Sequence, residues 1–412
     1  MSATIKHIDI KGVQIPVIFE EQKALPILNL QLVFQNSGYI QDKNKSGLVS
    51  LSSKLLNEGT KELGATKFAQ KLEENAISLA TSNGFETFVI ELSNLKEQSK
   101  KGIELLTALL KSPNYTQDTL NKLKTMQTGS LKRKENDFDY VANNQLKSVL
   151  FKGTTLENSA AGTIESISKI ELKDIENFIS QTVCLENLII VAGGDFELKE
   201  FEKLVKPLLE TLNVGKKAQL EEVNFISKKE EKVLIKDTQQ AYIYFGSSFN
   251  INSKDEENYK AKVASFILGG SGFGSRLMEE IRVKRGLAYS AYGSISINKS
   301  HSYFNGYLQT KNETADEAKK LVGEIIEDFV KNGVTNDELS AAKNFLTGSE
   351  PLRSETLSQR LNRAFTLYYR GLEPNYSQKE LEKIQNLELT DLNNYIKSHN
   401  EINNLTFSIV RK

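Results

Sequence analysis

A chain of 412 residues is too long for one ordinary hydrophobic core and fits two domains of about 200 residues each. Lys plus Arg equals Asp plus Glu at 53 each, so the net charge is zero, which gives no footprint for nucleic acid or an anionic membrane. The single cysteine, Cys184, excludes a disulfide framework and a thiolate metal cluster within the chain; beside the apolar run Leu188-Ile189-Ile190-Val191 it reads as a small buried residue.

The first ten residues lack the apolar stretch of a signal peptide, and nothing approaches the ~20 apolar residues of a membrane span. A soluble chain is expected, cytoplasmic by default, or periplasmic or secreted if a leader was removed. Residues 28–34 predict a strand, and Leu48, Leu51 and Leu55 at 3/4 spacing predict a helix. A strand over 85–92, a long helix over 103–110, a helical hairpin, a strand over 188–194 and a helix reaching about Leu212 follow. Residues 216–232 are polar, charged and without period, and read as a linker. The series then restarts: strands over 233–235 and 241–245, a helix marked by Val263, Phe266 and Ile267, a strand over 303–308, a helix over 321–329, a hairpin and a closing strand.

The restart is a duplication. Ile167-Ser-Lys-Ile-Glu-Leu-Lys-Asp-Ile-Glu-Asn-Phe-Ile179 aligns with Ile384-Gln-Asn-Leu-Glu-Leu-Thr-Asp-Leu-Asn-Asn-Tyr-Ile396 at a constant offset of 217. Thr128-Gly-Ser130 and Thr347-Gly-Ser349 align at 219, as do Asp118-Thr-Leu120 and Asp337-Glu-Leu339. Strands and helices mix without strict βαβ alternation, so the expectation is α+β: two homologous domains, 1–215 and 233–412, each a mainly antiparallel β-sheet with helices packed on one face.

Two segments bear on function. In Gly47-Leu-Val-Ser-Leu-Ser-Ser-Lys-Leu-Leu-Asn-Glu-Gly-Thr60, Leu48, Leu51, Leu55 and Leu56 form the buried stripe, and Ser50, Ser53, Lys54 and Asn57 share the opposite face. The frame resembles the signature helix of the pitrilysin-type zinc metallopeptidases, Gly-Leu-x-His-x-x-Glu-His-x-x-x-x-Gly-Thr, which carries the inverted H-x-x-E-H motif. The ends match, but Ser50 and Lys54 stand where the histidines would be and Ser53 where the glutamate would be. A zinc site needs lone pairs at i and i+4 and a carboxylate base, whereas serine is a poor ligand and protonated lysine repels the cation. The family's third ligand, a glutamate, would fall near Thr128–Ser130, where there is no carboxylate, and His7, His301 and His399 lie elsewhere. The three positions therefore read as an ordinary polar helix face that holds no metal.

The second segment is Leu268-Gly-Gly-Ser-Gly-Phe-Gly-Ser-Arg-Leu-Met-Glu-Glu-Ile-Arg-Val-Lys-Arg-Gly-Leu-Ala-Tyr-Ser290: a glycine loop, a short amphipathic helix, a turn and a strand. Its G-x-G-x-G spacing, outside a βαβ unit, is no dinucleotide fingerprint. On residue pattern alone, Arg282 could pair with Glu279 at i−3, and Tyr289 could join Leu287, Ala291, Ile295 and Ile297 in the core. The segment is similar to the same family's C-terminal pattern Ser-Arg-Leu-x-x-x-Ile-Arg-x-x-Arg-Gly-Leu-Ala-Tyr. That resemblance implies that Arg282 and Tyr289 hold the substrate carbonyl and stabilise the oxyanion at the zinc site of a facing domain. It also implies a substrate-recognition role for Gly269, Gly270, Gly272 and Gly274, as in the loop of the non-catalytic subunit of mitochondrial processing peptidase.

The resemblance covers nearly the whole chain. It implies a non-catalytic, substrate-binding subunit of a heterodimeric zinc metalloendopeptidase: no cofactor in this chain, zinc in a homologous H-x-x-E-H-bearing partner, and a peptide substrate. The alternatives are a structural scaffold and a peptide-binding homodimer without proteolysis.

Overall fold

The computed structural model describes residues 3–412, which divide into two units. The first sheet contains β1 (Thr4–Ile10), β2 (Val13–Glu21), β3 (Ile27–Gln35), β4 (Ser78–Asn83), β5 (Thr87–Leu95) and β6 (Leu188–Gly194). Its strand order is β1-β2-β6-β3-β5-β4, antiparallel throughout except for β2 with β6. The second contains β7 (Glu231–Ile235), β8 (Gln240–Ser248), β9 (Ala288–Ile297), β10 (Ser302–Lys311) and β11 (Thr406–Arg411), in the order β7-β11-β8-β10-β9. Here too a single pair, β7 with β11, is parallel. With β1 set aside, the two orders coincide strand for strand, and in each the closing strand slots between the first and the second. The duplication seen in the sequence is thus a duplication of topology.

Each sheet packs one face against the helices of its own half. In the first unit Leu28, Leu30, Leu32 and Phe34 of β3 meet Leu51 and Leu55 of the helix Leu48–Leu56 and Ile103 and Leu106 of the helix Ser99–Lys111. In the second, Ile243, Phe245, Phe304 and Leu308 meet Val322, Ile326 and Phe329 of the helix Ala315–Asn332. The architecture is α+β, as expected, and Cys184 is buried.

The opposite faces are covered by exchange. The first unit includes Arg353–Tyr369 from the second half of the chain, and the second unit includes Arg133–Glu157 from the first half. The helix Leu357–Arg370 sets Leu357 and Leu361 on Ile18, Val33, Ile189 and Val191, the outward residues of β2, β3 and β6. The helix Phe138–Leu150 lies on β8 and β11, where Ser408 Oγ donates to Gln145 Oε1 at 3.0 Å. These helices start at positions related by the 219-residue offset, so equivalent segments of the two copies trade places. Residues 216–220 belong to the first unit: Asn36 Nδ2 donates to Ala218 O at 2.9 Å, and Ala218 N donates to Asn187 Oδ1 at 2.7 Å.

The exchanged helix carries a charge into the first unit. Glu20 is 3 % exposed, and Arg360 meets its Oε1 through Nε at 2.8 Å and Nη2 at 2.7 Å. Stranding one member of a buried pair costs about 3–5 kcal/mol. Arg360→Met should therefore lower unfolding stability by about 3 kcal/mol, measured by urea denaturation, whereas Arg363→Met on the same helix should cost little.

Losing the helix Leu357–Arg370 would expose four aliphatic side chains of the sheet, at about 1.5–3 kcal/mol each. That sum, on the order of 10 kcal/mol, rivals the whole stability of an ordinary domain. Residues 1–220 and 221–412 expressed separately should give no cooperative thermal transition by circular dichroism, and co-expressed they should purify together. A cooperative transition from either half alone would contradict the exchange.

Candidate functional site

The helix Leu48–Leu56 is aimed by its N-terminus. Gly47 turns into it at φ +91°, a conformation that suits glycine. The carboxylate of Asp42 accepts hydrogen bonds from Gly47 N at 2.8 Å and Val49 N at 2.9 Å, satisfying amides that a helix start leaves unpaired.

On the polar face, Ser53 is buried and its Oγ donates to Asn83 Oδ1 of β4 at 3.0 Å. The Lys54 ammonium donates to Gln127 Oε1 on the helix Gln117–Lys134, and Gln127 Nε2 donates to Ala161 O at 2.9 Å. Asn57 grips β4 twice, donating to Thr81 O at 2.9 Å and accepting from Thr81 N at 2.7 Å. Ser50 is half-buried. The polar face is tied to two neighbouring elements through Ser53, Lys54 and Asn57, while Lys54 and Asn57 remain exposed. Gln127 is the residue the sequence reading missed. It lies one position before Thr128-Gly-Ser130, the stretch searched for a third ligand, and it is 4 % exposed. Nothing in the sequence around Gln127 marks this role; only the fold sets it against Lys54.

Two hydroxyls, an ammonium and an amide do not fit a zinc ion, and no carboxylate stands among them to activate water. Among the described residues, no group of three or more His, Cys, Asp or Glu side chains is placed to hold a metal ion.

The second segment is built differently. Two π-helical turns, Phe266–Gly270 and Glu279–Val283, flank one α-helical turn, Arg276–Met278. Such turns are rare and recur at functional sites. Gly269 packs so closely on β9 that a Cβ would stand 2.5 Å from Gly293 N. A Cβ on Gly270 would lie 3.0 Å from Ser265 O, a tight contact, whereas at Gly269 it would force the backbone to move. Gly272 and Gly274 differ: each has open space around it but a left-handed φ, +68° and +90°. Arg276 anchors the short helix, with Nη2 donating to Glu338 Oε2 at 2.8 Å and to Gly333 O at 2.7 Å.

Arg282 sits on the second π-turn. Its guanidinium carbon lies 4.5 Å from the Tyr289 ring centroid and 4.7 Å from that of Phe273. Among the described residues it forms no ion pair, so the pairing with Glu279 that its position allowed is not made. Tyr289 is 81 % exposed, which rules out a core tyrosine. The cause is a β-bulge. Leu308 pairs with Ala291 but Thr310 pairs with Ala288, so β9 carries one residue more than β10 across this step. Ala288 and Ala291 both turn inward, and Tyr289 is released outward. The structure thus brings Arg282, Tyr289 and the glycine loop together on one unit, while Ser50, Ser53 and Lys54 belong to the other. No helix among the described residues is long and apolar enough to cross a membrane.

A duplicated α+β unit that keeps a metallopeptidase helix frame, yet fills the ligand positions with a hydrogen-bonded tie, defines a class of peptidase-like proteins without the metal-binding residues. Residues 169–346 match the family described as Peptidase M16 inactive domain. The chain is 46 % identical over 409 residues to the non-peptidase homolog YmxG of Helicobacter pylori, covering 99 % of this chain and 94 % of that one. It is 21 % identical to the uncharacterized zinc protease YmxG of Bacillus subtilis, over 77 % of each. The crystal structure of a peptidase M16 inactive domain from Pseudomonas fluorescens superposes with a TM-score of 0.91 at 23 % identity, covering 99 % of this chain and 98 % of that one. The chain belongs to the peptidase M16 family, as an inactive, non-peptidase homologue.

Asp42 makes the site helix pH-sensitive. Burial pushes its carboxyl from 3.8 up to about 7, outweighing the two amide donors that favour the charged form. The folded chain then holds a proton that the unfolded chain releases, so this contribution is full below 3.8 and is lost as pH rises through about 7. The thermal midpoint of the wild type should fall relative to that of Asp42→Asn as pH rises from 4.5 to 8. A constant difference between the two would show that burial does not dominate there.

Proposed function

We propose that this chain is the non-catalytic, substrate-binding subunit of a heterodimeric zinc metalloendopeptidase that processes or degrades peptides. A homologous partner bearing H-x-x-E-H supplies the metal and the general base. This chain supplies Arg282 and Tyr289. The observation that carries the reading is the state of that pair: a guanidinium engaged by rings and by no carboxylate, beside a phenol that a bulge turns outward. A fixed cation and a phenolic donor directed at developing negative charge in a closed site stabilise an oxyanion by about 3 kcal/mol. The glycine loop contributes to holding the substrate, an extended peptide that adds as a strand to a sheet edge; β9, which carries Tyr289, is such an edge.

The purified chain should hydrolyse no peptide in metal-free buffer, and hydrolysis should appear when an H-x-x-E-H-bearing homologue from the same source is added. In the reconstituted pair, Tyr289→Phe should lower kcat by about 10²-fold with little change in KM, because the phenol acts on charge that develops in the transition state. An unchanged kcat would remove Tyr289 from the mechanism. Recovery of only self-associated chain from the native source would favour the peptide-binding homodimer.

A further inference from the structure

We infer that Phe273 is the positioning residue of the Arg282/Tyr289 pair and that the glycine loop exists to present its ring. Phe273 stands between Gly272 and Gly274, both left-handed and both with open space where a Cβ would be. These two glycines are therefore required by backbone conformation and not by crowding. The residue they flank is a phenylalanine whose ring, though 70 % exposed, is set against a partner. The contact is the Arg282 guanidinium at 4.7 Å.

Three features make this an orienting device. Among the described residues, neither an ion pair nor a side-chain hydrogen bond fixes Arg282, so the rings of Phe273 and Tyr289 are what define its direction. Its neighbours are held otherwise: Arg276 by Glu338, and Arg285 by Glu280 at 2.6 Å. A cation held by π-faces keeps its N–H donors available, whereas a carboxylate would occupy them. The loop end of the segment is also anchored, since Gly269 is wedged against β9 and Ser275 Oγ donates to Gly272 O at 2.7 Å. The ring is thus presented from a fixed base.

The consequence for peptide hydrolysis rests on the in-trans reading of Arg282 given above; the contact itself does not, and it is tested on the full-length chain alone. Phenylglyoxal modification of Arg282 is followed by peptide mass spectrometry, with Arg285 as internal reference. A stacked cation at an exposed site corresponds to about a two- to fivefold shift in occupancy. Phe273→Ala and Phe273→Leu should raise the Arg282 rate relative to Arg285 by that factor, and Phe273→Tyr and Phe273→Trp should restore it. An unchanged rate in Phe273→Ala overturns the assignment. So does a rate in Phe273→Leu equal to wild type, which would make apolar cover the cause, or a failure of both aromatic variants to restore protection. In the reconstituted pair, the same series should change kcat in step with the protection. Protection without any effect on kcat would leave the contact standing and refute the in-trans role of Arg282, so the two failures are distinguishable.

Discussion

Each sheet has two faces to bury, and its own half of the chain supplies helices for only one. β6 shows the constraint most directly: all seven of its residues are buried, alternately toward the helices of its own half and toward the helix Leu357–Arg370. That second helix arrives from the other copy, and the helix Phe138–Leu150 makes the reciprocal journey. Everything else depends on this trade. It gives each unit a segment from the other half of the chain, and it imports Arg360 to neutralise the buried Glu20.

The two copies have put the same framework to different uses. In the first, the helix that carries zinc ligands in metallopeptidase relatives keeps its glycines and its leucine stripe, but its polar face is committed to Asn83, Thr81 and Gln127. Such a face spends much of its hydrogen-bonding capacity on neighbouring elements. In the second, chemistry-bearing side chains are held without being consumed. Arg282 meets π-faces in place of carboxylates, and Tyr289 leaves the sheet at a bulge. Polar groups saturated by their neighbours build stability, whereas polar groups oriented but left with free donors can act on something else.

Local distortion is concentrated where this second arrangement is made. Two π-turns, three left-handed glycines (Gly272, Gly274 and Gly286) and a bulge fall within residues 266–291. Each departs from regular geometry, and three of these distortions carry the side chains of the cluster. The second π-turn carries Arg282, Gly272 and Gly274 carry Phe273, and the bulge carries Tyr289.

Much of this was legible in the residues themselves. The repeat at offsets of 217 and 219 predicted two copies of one α+β unit, and the strand orders agree. Serine and lysine at the ligand positions leave this helix without the donor set a zinc site needs, a point legible in the sequence because donor chemistry belongs to the residue type and needs no coordinates. Four features required the tertiary structure. Period-two alternation placed Tyr289 with Ala291, and only pairing with β10 revealed the extra residue that reverses it. The helix exchange leaves no local trace, since an amphipathic helix states that it needs an apolar surface and not whose surface it is. Gln127 became part of the site only when folding set it against Lys54, 73 residues away. Phe273 read as one residue in a flexible loop until its ring was found on Arg282. Sequence records composition and period, which are local; which groups meet is decided by long-range packing, where the physics of this site resides.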